Sequence, residues 1–498
     1  MDINKFNITN FKKNYNLGKK QIIYHTLSAD IHTPVSIIMK LKNEKYSFLY
    51  ESVEKGSQKG RYSIIGLKPD LIWKCKDKKC TTLNLTKNKK SCTFEKNPLR
   101  SLKKLIKENK AIIPKVLPSI SSGLYGFLGY EMIQYFESLE LNKVDNLNLP
   151  ESVFIRPSLT LVFDNVSDKL FITKLIVPSI EKALVSYENG LEEIHKLINK
   201  VRKPLIAKPS KKKNTAKLNI LKDVKSNTSY KEFEQMVNKA KNYIYEGEIF
   251  QVVISRIFQK NIDVEPLSIY RALRNLNPSP YLFFINFNEF KIVGASPEIL
   301  IKLQDKKVTI RPIAGTRRRG SNTKEDKKNE NDLLSDPKEI SEHLMLLDLG
   351  RNDISRVTKP GTVKVTDKMY IEYFSHVMHI VSNIDGELDK NKGTTDVLFS
   401  GFPAGTVTGA PKIRAIEIIE ELEKSRRNIY AGSVGYISFN GDIDTCIALR
   451  TALIKNNQIY IQSGAGIVAD SKPKNEYAET ENKALALLTA CAYAYNFE

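Results

Sequence analysis

No stretch of the 498 residues runs apolar for the ~18 residues that a membrane-spanning helix needs. The opening MDINKFNITNFKKNYN is too polar for a secretory signal, so the chain is expected to be cytoplasmic, with no membrane partner. Cysteine is scarce. Cys75, Cys80, Cys92, Cys446 and Cys491 are odd in number and widely spread, which argues against a disulfide framework. Four residues separate Cys75 from Cys80 and no second cluster follows, a poor match to zinc-ligand spacing. The 6 histidines include no H-E-x-x-H, so zinc is further unsupported. Neither G-x-x-x-x-G-K-[ST] nor a strand-following G-x-G-x-x-G with its later acid occurs, and ATP and dinucleotide chemistry are therefore unfavoured.

What is present describes a folded globular chain of two or three domains: 41% apolar residues, 27% charged residues, 22 Tyr and 21 Phe. The formal charge of +22 raises the question of a polyanion partner. Between Arg202 and Lys225 nine basic residues stand against the single acid Asp223, contributing +8 of that total. Elsewhere the lysines lie on polar faces without interleaved aromatics, which reads as solvated surface, and no nucleic-acid partner is expected. A basic RNA-binding or scaffold protein is the alternative of a different class; salt-sensitive RNA binding would distinguish it.

Residues 20 to 190 carry short strand candidates, SIIMKLKNEKYSFLYES, SIIGL, LIWKC and TLVFDNVSDKLFITKLI, interrupted by helical patches at Leu99 to Glu108 and GYEMIQYFESL. From Ser229 onward hairpin-like strand pairs alternate with amphipathic helices. The pattern predicts an α+β fold, with large, mostly antiparallel sheets packed in a sandwich and helices on the outer faces. The expected organisation is an N-terminal strand-rich regulatory domain at 1–203, a basic linker at 204–228 and a catalytic domain at 229–498.

Asp336-Pro337-Lys338-Glu339 reads as a helix start, with an N-cap acid, proline at the first helical position and a glutamate three residues after the cap. Glu339 and Glu342 then share a helix face, as do Glu476 and Glu479 near Pro473. Each pair alone is ordinary surface, and a capping box accounts for Glu339. Together, two pairs form an oxygen-ligand set suited to Mg²⁺. Arg450, at the end of the alternating run TCIALRT, can grip a carboxylate through its fork. His379, in the alternating strand VMHIVSN, is placed opposite His376 in facing; it is either a satisfied core histidine or, beside acids, a proton carrier. Four glycine-rich segments, GASPE, PIAGTRRRG, FPAGTVTGAPK and SGAGIV, are either turns or cradles for an anion.

With LYESVEKGSQKGRYSIIG, EIFQVVISR, NPSPYLFF, EHLMLLDLGRND, YFSHVMHIVS, YAGSVGY, ALRT, IQSGAGIVADSKP and EYAETENKA added, the chain resembles the chorismate-utilising enzymes. Within them it is most similar to the anthranilate synthase component I family, over nearly its whole length. The resemblance implies an enzyme of tryptophan biosynthesis that converts chorismate and ammonia to anthranilate and pyruvate. It implies Mg²⁺ held by Glu342 and Glu479, with Glu339 and Glu476 as outer or water-mediated ligands. It implies substrate contacts at Gly315, Thr316, Thr406, Tyr430, Arg450, Gly464, Ala465 and Gly466, with Thr316 also counted as catalytic. Glu298 would be the general acid, its pKa raised by burial near other acids, and His379 would serve removal of the C2 proton.

Gln251 stands where water-adding relatives carry a lysine base, which favours ammonia as the nucleophile. Aminodeoxychorismate synthases typically read PIKGT where this chain reads PIAGT, so Ala314 disfavours an aminodeoxychorismate synthase large subunit, the nearest alternative. The implied partner is a separate glutamine amidotransferase subunit, component II. Glu51 and Ser52, with Pro278, Tyr281 and Leu282, resemble the family's tryptophan feedback site; a strand end and turn is the plain reading of the first two.

Overall fold

Successive residues along the central strands face two different interiors. In the strand Ser47–Glu51, Phe48 joins one buried cluster and Leu49 another; in Tyr281–Asn286, Phe283 joins the first and Phe284 the second; Ile292 and Val293 divide likewise. This is the period-two alternation of extended chain, here with both faces apolar because both are covered. The computed structural model describes residues 8–54, 58–86, 89–205, 220–374 and 377–498.

Among the described residues 23 strands form one hydrogen-bonded network, with Val53–Glu54 and Gln58–Lys59 paired apart from it, and every pairing in the network is antiparallel except that of Lys20–Ser28 with Ala111–Ile112. Aromatic rings fill the first interior, with Phe48 stacked on Tyr125 at 4.4 Å and Phe127 edge-on to Phe287 at 5.6 Å. Each fully buried ring of this kind stabilises the fold by roughly 1.5–3 kcal/mol relative to exposure. Helices Pro34–Lys40, Ala183–Arg202, Pro266–Leu276 and Pro473–Tyr493 cover the other face through Ile37, Ile198, Leu273 and Leu487. This is the expected α+β architecture.

Strands from both halves of the chain pair directly. Ser47–Glu51 adds to Tyr281–Asn286, and Gly123–Leu128 adds to Ser433–Ser438. The expected 204–228 linker, with Lys208, Lys211, Lys212, Lys213 and Lys217, lies largely outside the described residues. His376 lies outside them as well. No helix among the described residues is long and apolar enough to cross a membrane.

Some local expectations give way. Ser36 to Lys40, read as strand, lies in the helix Pro34–Lys40, because Thr33 caps it reciprocally with Ser36 and Pro34 presets the first turn. GYEMIQYFESL contains only a 3₁₀ segment, Tyr130–Tyr135. The run DTCIALRTALI is two strands, Ile443–Ile447 and Thr451–Lys455, separated by Arg450 at φ 46°. A polar helix, Thr323–Ser335, was invisible to hydrophobic periodicity because only Asp326 and Leu333 of it are buried.

Candidate active site

The helix start at Asp336 forms as the sequence predicts: the Asp336 side chain accepts from the backbone N–H groups of Lys338 and Glu339. Glu339 does not close a capping box. Its carboxylate instead accepts from Arg317 Nη1 at 3.0 Å, while the same guanidinium donates to Asp332 at 2.6 Å and Asp336 at 2.7 Å. Arg317 is held by the helix start and holds Glu339 over the strand Ile313–Arg318. A Cβ added at Gly315, which sits at φ +67°, would lie 3.1 Å from Glu339 Oε2. Glycine here permits both the left-handed backbone and the close approach.

Gly315 and Thr316 belong to a bulge. The strand register against Val377–Glu387 shifts between Ala314 and Arg317, so two residues face the single His379. His379 Nδ1 lies 2.8 Å from the Gly315 carbonyl and 3.1 Å from Thr316 Oγ1. The carbonyl can only accept, so Nδ1 carries the proton and donates, leaving Nε2 with a free lone pair. Burial, together with the nearby Arg450 cation, pushes the imidazole down to about 4, so it is neutral at physiological pH; the bond to Gly315 opposes this shift. Met378 and Ile380, on either side, pack with Leu333 on the opposite strand face, which fixes where His379 points.

Glu298 is buried, and burial pushes its carboxyl up to about 8, opposed by the nearby Thr406 hydroxyl. The expected contribution of neighbouring acids is absent: desolvation alone raises it. Thr406 Oγ1 is itself buried and lacks a hydrogen-bond partner of normal geometry. Arg450 is mostly withdrawn from solvent, its proton affinity lowered by burial, and no carboxylate forms an ion pair with it among the described residues. An unpaired, desolvated guanidinium is costly to the fold and is a demand for an anion.

The second acidic pair comes from the helix Pro473–Tyr493. Lys483 Nζ bridges Glu479, at 2.7 Å, to the carbonyl of Gly464, at 3.0 Å. Gly464, Ala465 and Gly466 lie on the strand Gln458–Ile467 opposite Ser255, Ile254 and Val253. A Cβ at Gly464 would sit 2.8 Å from the buried Tyr430 hydroxyl, and one at Gly466 would collide with the Gln251 amide. Glycine at both positions therefore lets Tyr430 and Gln251 approach the strand more closely than any side chain would allow. Gln251 Oε1 is buried and unpartnered.

Glu342 is raised above the usual carboxylate range by burial first, then by Glu339 and Glu479, with Gln251 and Lys483 opposing. Glu476 is raised by burial first and then by Glu479, with the Ser471 hydroxyl, Lys338 and Lys483 opposing. One of these interactions, that of Glu342 with Glu479, crosses between the two helices. No three His, Cys, Asp or Glu side chains among the described residues converge tightly enough to enclose an ion. Arg317 and Lys483 hold two of the four acids. The chemistry of the donors still fits Mg²⁺, which takes one or two carboxylates and keeps several waters. A divalent cation would relieve the repulsion that raises Glu342. Arg317 and Lys483 were missed by sequence reasoning; the i,i+4 spacing of Glu479 and Lys483 was the signal available for the second.

A separate cavity of about 740 Å³ gathers Glu51, Ser52, Pro278, Tyr281 and Leu282 with Arg61, Arg311, Glu372, Phe374, Asp444 and Cys446. Glu51 stands opposite Leu282 in the strand register, and its carboxylate accepts from Tyr270 at 2.5 Å and Arg274 at 2.9 Å. Tyr281 donates to Asp444 at 2.6 Å. The five residues singled out in the sequence are thus brought together, and the other cavity residues named here were not anticipated.

A protonated carboxyl and an unprotonated imidazole near neutral pH, with a guanidinium that has no ion-pair partner among the described residues, are groups suited to acid–base chemistry on a small anionic substrate. The chorismate binding enzyme family matches residues 46–489, and the chain belongs to that family. It is 46% identical to anthranilate synthase component 1 of Cereibacter sphaeroides, over 96% of each chain. It is 42% identical to that of Aquifex aeolicus, over 98% of this chain and 97% of the other. The crystal structure of anthranilate synthase component I from Streptococcus pneumoniae superimposes with TM-score 0.75 at 35% identity, covering 93% and 98% of the two chains. The menaquinone-specific isochorismate synthase of Escherichia coli shares the fold, with TM-score 0.71 at 20% identity, over 97% of this chain and 98% of the other.

Proposed function

We propose that this chain is the large subunit of an anthranilate synthase, converting chorismate and ammonia to anthranilate, pyruvate and water. The observation that carries the reading is the opposite displacement of two groups: Glu298 pushed up to about 8 and His379 pushed down to about 4. Between those values the carboxyl keeps a proton to give and the imidazole keeps a lone pair to receive one.

Chorismate is a dianion, and two anchors fix its ring without touching the reacting carbons. Arg450 and the amides around Gly464 and Gly466 take the enolpyruvyl carboxylate. The ring carboxylate faces the acids of the two helices, where Glu342 and Glu479 would hold Mg²⁺ with Glu339 and Glu476 outside them. When bound, that ion would neutralise the facing acids and clamp the ring carboxylate as a Lewis acid. Ammonia adds at C2 as the C4 hydroxyl departs, and Glu298 donates the proton that lets it leave as water. His379 Nε2 serves the later removal of the C2 proton, after which pyruvate is eliminated and the ring becomes aromatic. Thr316 orients His379, and Thr406, its buried hydroxyl without a partner among the described residues, contacts the substrate.

Gln251 supports ammonia over water as the nucleophile, because an amide cannot act as a base. Ala314 supports anthranilate over a 4-amino product, because it offers no amine to engage the ring. The ammonia source would be a glutamine amidotransferase subunit. Tryptophan would occupy the 740 Å³ cavity as feedback inhibitor. The test is product analysis of the purified chain with chorismate, ammonium and Mg²⁺, with and without EDTA. Anthranilate and pyruvate, lost with EDTA, are expected; a 4-amino product or isochorismate would overturn the reading.

A further inference from the structure

The hairpin formed by Tyr62–Lys76 and Lys79–Thr86 turns through Asp77 and Lys78, both left-handed at φ 46° and 64°. This is the two-residue turn that matches strand twist. In such a hairpin the pair flanking the turn, Lys76 and Lys79, is hydrogen bonded, and the next pair outward is not. That next pair is Cys75 and Cys80, directly opposed. The Cys75 carbonyl confirms the register, since it turns away from Cys80 to accept from the Glu151 N–H at 2.8 Å.

Opposed residues in a non-hydrogen-bonded pair have Cα atoms about 4.5 Å apart, with side chains on the same face. A disulfide spans roughly 4.4–6.8 Å between Cα atoms, a range that includes the spacing of such an opposed pair. Both cysteines are free thiols and are almost fully buried, at 0% and 1% exposure. The Cys75 thiol donates to Glu151 Oε2 at 4.0 Å. The mutual influence of the two opposed thiols raises Cys75 and lowers Cys80, burial opposes the lowering, and the Ser101 hydroxyl adds to it. Cys80 is therefore the better thiolate and Cys75 the waiting partner. Cys92, the exposed thiol of the adjoining strand, pairs with Leu83 and so faces the other side.

We propose that Cys75 and Cys80 form an oxidisable dithiol that hydrogen peroxide, small enough to reach a buried pair, closes to an intrachain disulfide. The Cys80 thiolate attacks one peroxide oxygen and the O–O bond breaks, giving a sulfenic acid and a hydroxide that takes up the released thiol proton. The Cys75 sulfur then attacks the Cys80 sulfur, the S–O bond breaks, and that oxygen leaves as a second water with the Cys75 proton. Two thiols lose two electrons and one peroxide gains them.

The test treats the full chain with graded peroxide, quenches with catalase, alkylates in denaturant and maps the peptides. The expected result is simultaneous loss of the two thiols as a Cys75–Cys80 cross-link that dithiothreitol reverses. In Cys75→Ser the same dose should leave a dimedone-reactive sulfenic acid on Cys80 and no cross-link. Both thiols of the unaltered chain remaining alkylatable at a dose that fully oxidises Cys92 would overturn the proposal, as would a bridge between Cys92 and either of them. The unaltered chain decides the matter even if the serine variant fails to fold.

Discussion

The ring of Phe374 meets the imidazole of His379 edge to face, with centroids 5.3 Å apart and planes at 69°, and the same Phe374 lines the 740 Å³ cavity. Pro297, another residue of the cavity wall, immediately precedes Glu298. The cavity and the acid–base pair are therefore one residue apart at two places. Phe374→Ala should admit water to His379 and restore part of the proton affinity that burial removes. The acid limb of kcat/KM should then move upward from about 4, and the inhibition proposed for tryptophan should weaken relative to the unaltered protein. An unchanged acid limb with unchanged inhibition would show that the ring contact transmits nothing.

Glu298 gives a prediction in which activity and stability move oppositely. Its folded value of about 8 lies above its ordinary 4.5, so between those values the folded state binds more protons than the unfolded state. Stability is accordingly lost as pH rises toward 8, because deprotonation leaves a charge in a desolvated pocket. Glu298→Gln keeps the shape and removes the charge. Its Tm should exceed that of the unaltered protein at pH 9 and nearly match it at pH 4, while turnover falls by roughly 10²–10⁴ with the proton donor gone. The basic limb of the unaltered enzyme's pH profile should fall at about 8.

Removing one facing acid should affect chemistry more than folding. Glu342 is raised by burial and by its like-charged neighbours, so Glu342→Gln relieves repulsion within the protein. Glu479→Gln frees Lys483 from its exposed ion pair, a contact worth about 0–1 kcal/mol. Each variant should retain its Tm within a few degrees and lose about 100-fold or more in turnover, with the Mg²⁺ concentration giving half-maximal rate shifted upward. Normal rates in both would reject the proposed ligand set.

The strands, most helices and the two acidic pairs were legible because each leaves a periodic or capping signature: Asp336-Pro337 announces its helix, and Glu339 and Glu342 follow from the 3.6-residue turn. The Gly315–Thr316 bulge was not, since a register shift against His379 depends on pairing between segments more than sixty residues apart. The break at Arg450 was hidden for a related reason: TCIALRT alternates correctly for a strand, and only the packed structure places its arginine at φ 46°. Glu298 was found through the resemblance, but the cause of its shift was misjudged, because sequence does not say which acids stay out of a pocket.

Arg450 separates a binding group from a structural one. Its guanidinium is mostly buried, has its proton affinity lowered by desolvation, and forms no ion pair among the described residues, so in the free protein it costs stability. A structural arginine would show the reverse, with partners that suffer when it is removed. Arg450→Gln retains a planar, polar side chain, and although its left-handed backbone persists, the strain there is common to both residues. The Tm should hold or rise, while KM for chorismate increases at least about tenfold through loss of the charged fork, a change of ~1.4 kcal/mol. Lysine at 450 should restore charge but not the two-pronged geometry, recovering only part of the affinity. A loss of stability in Arg450→Gln with KM unchanged would assign the residue to the fold and leave the enolpyruvyl carboxylate without its anchor.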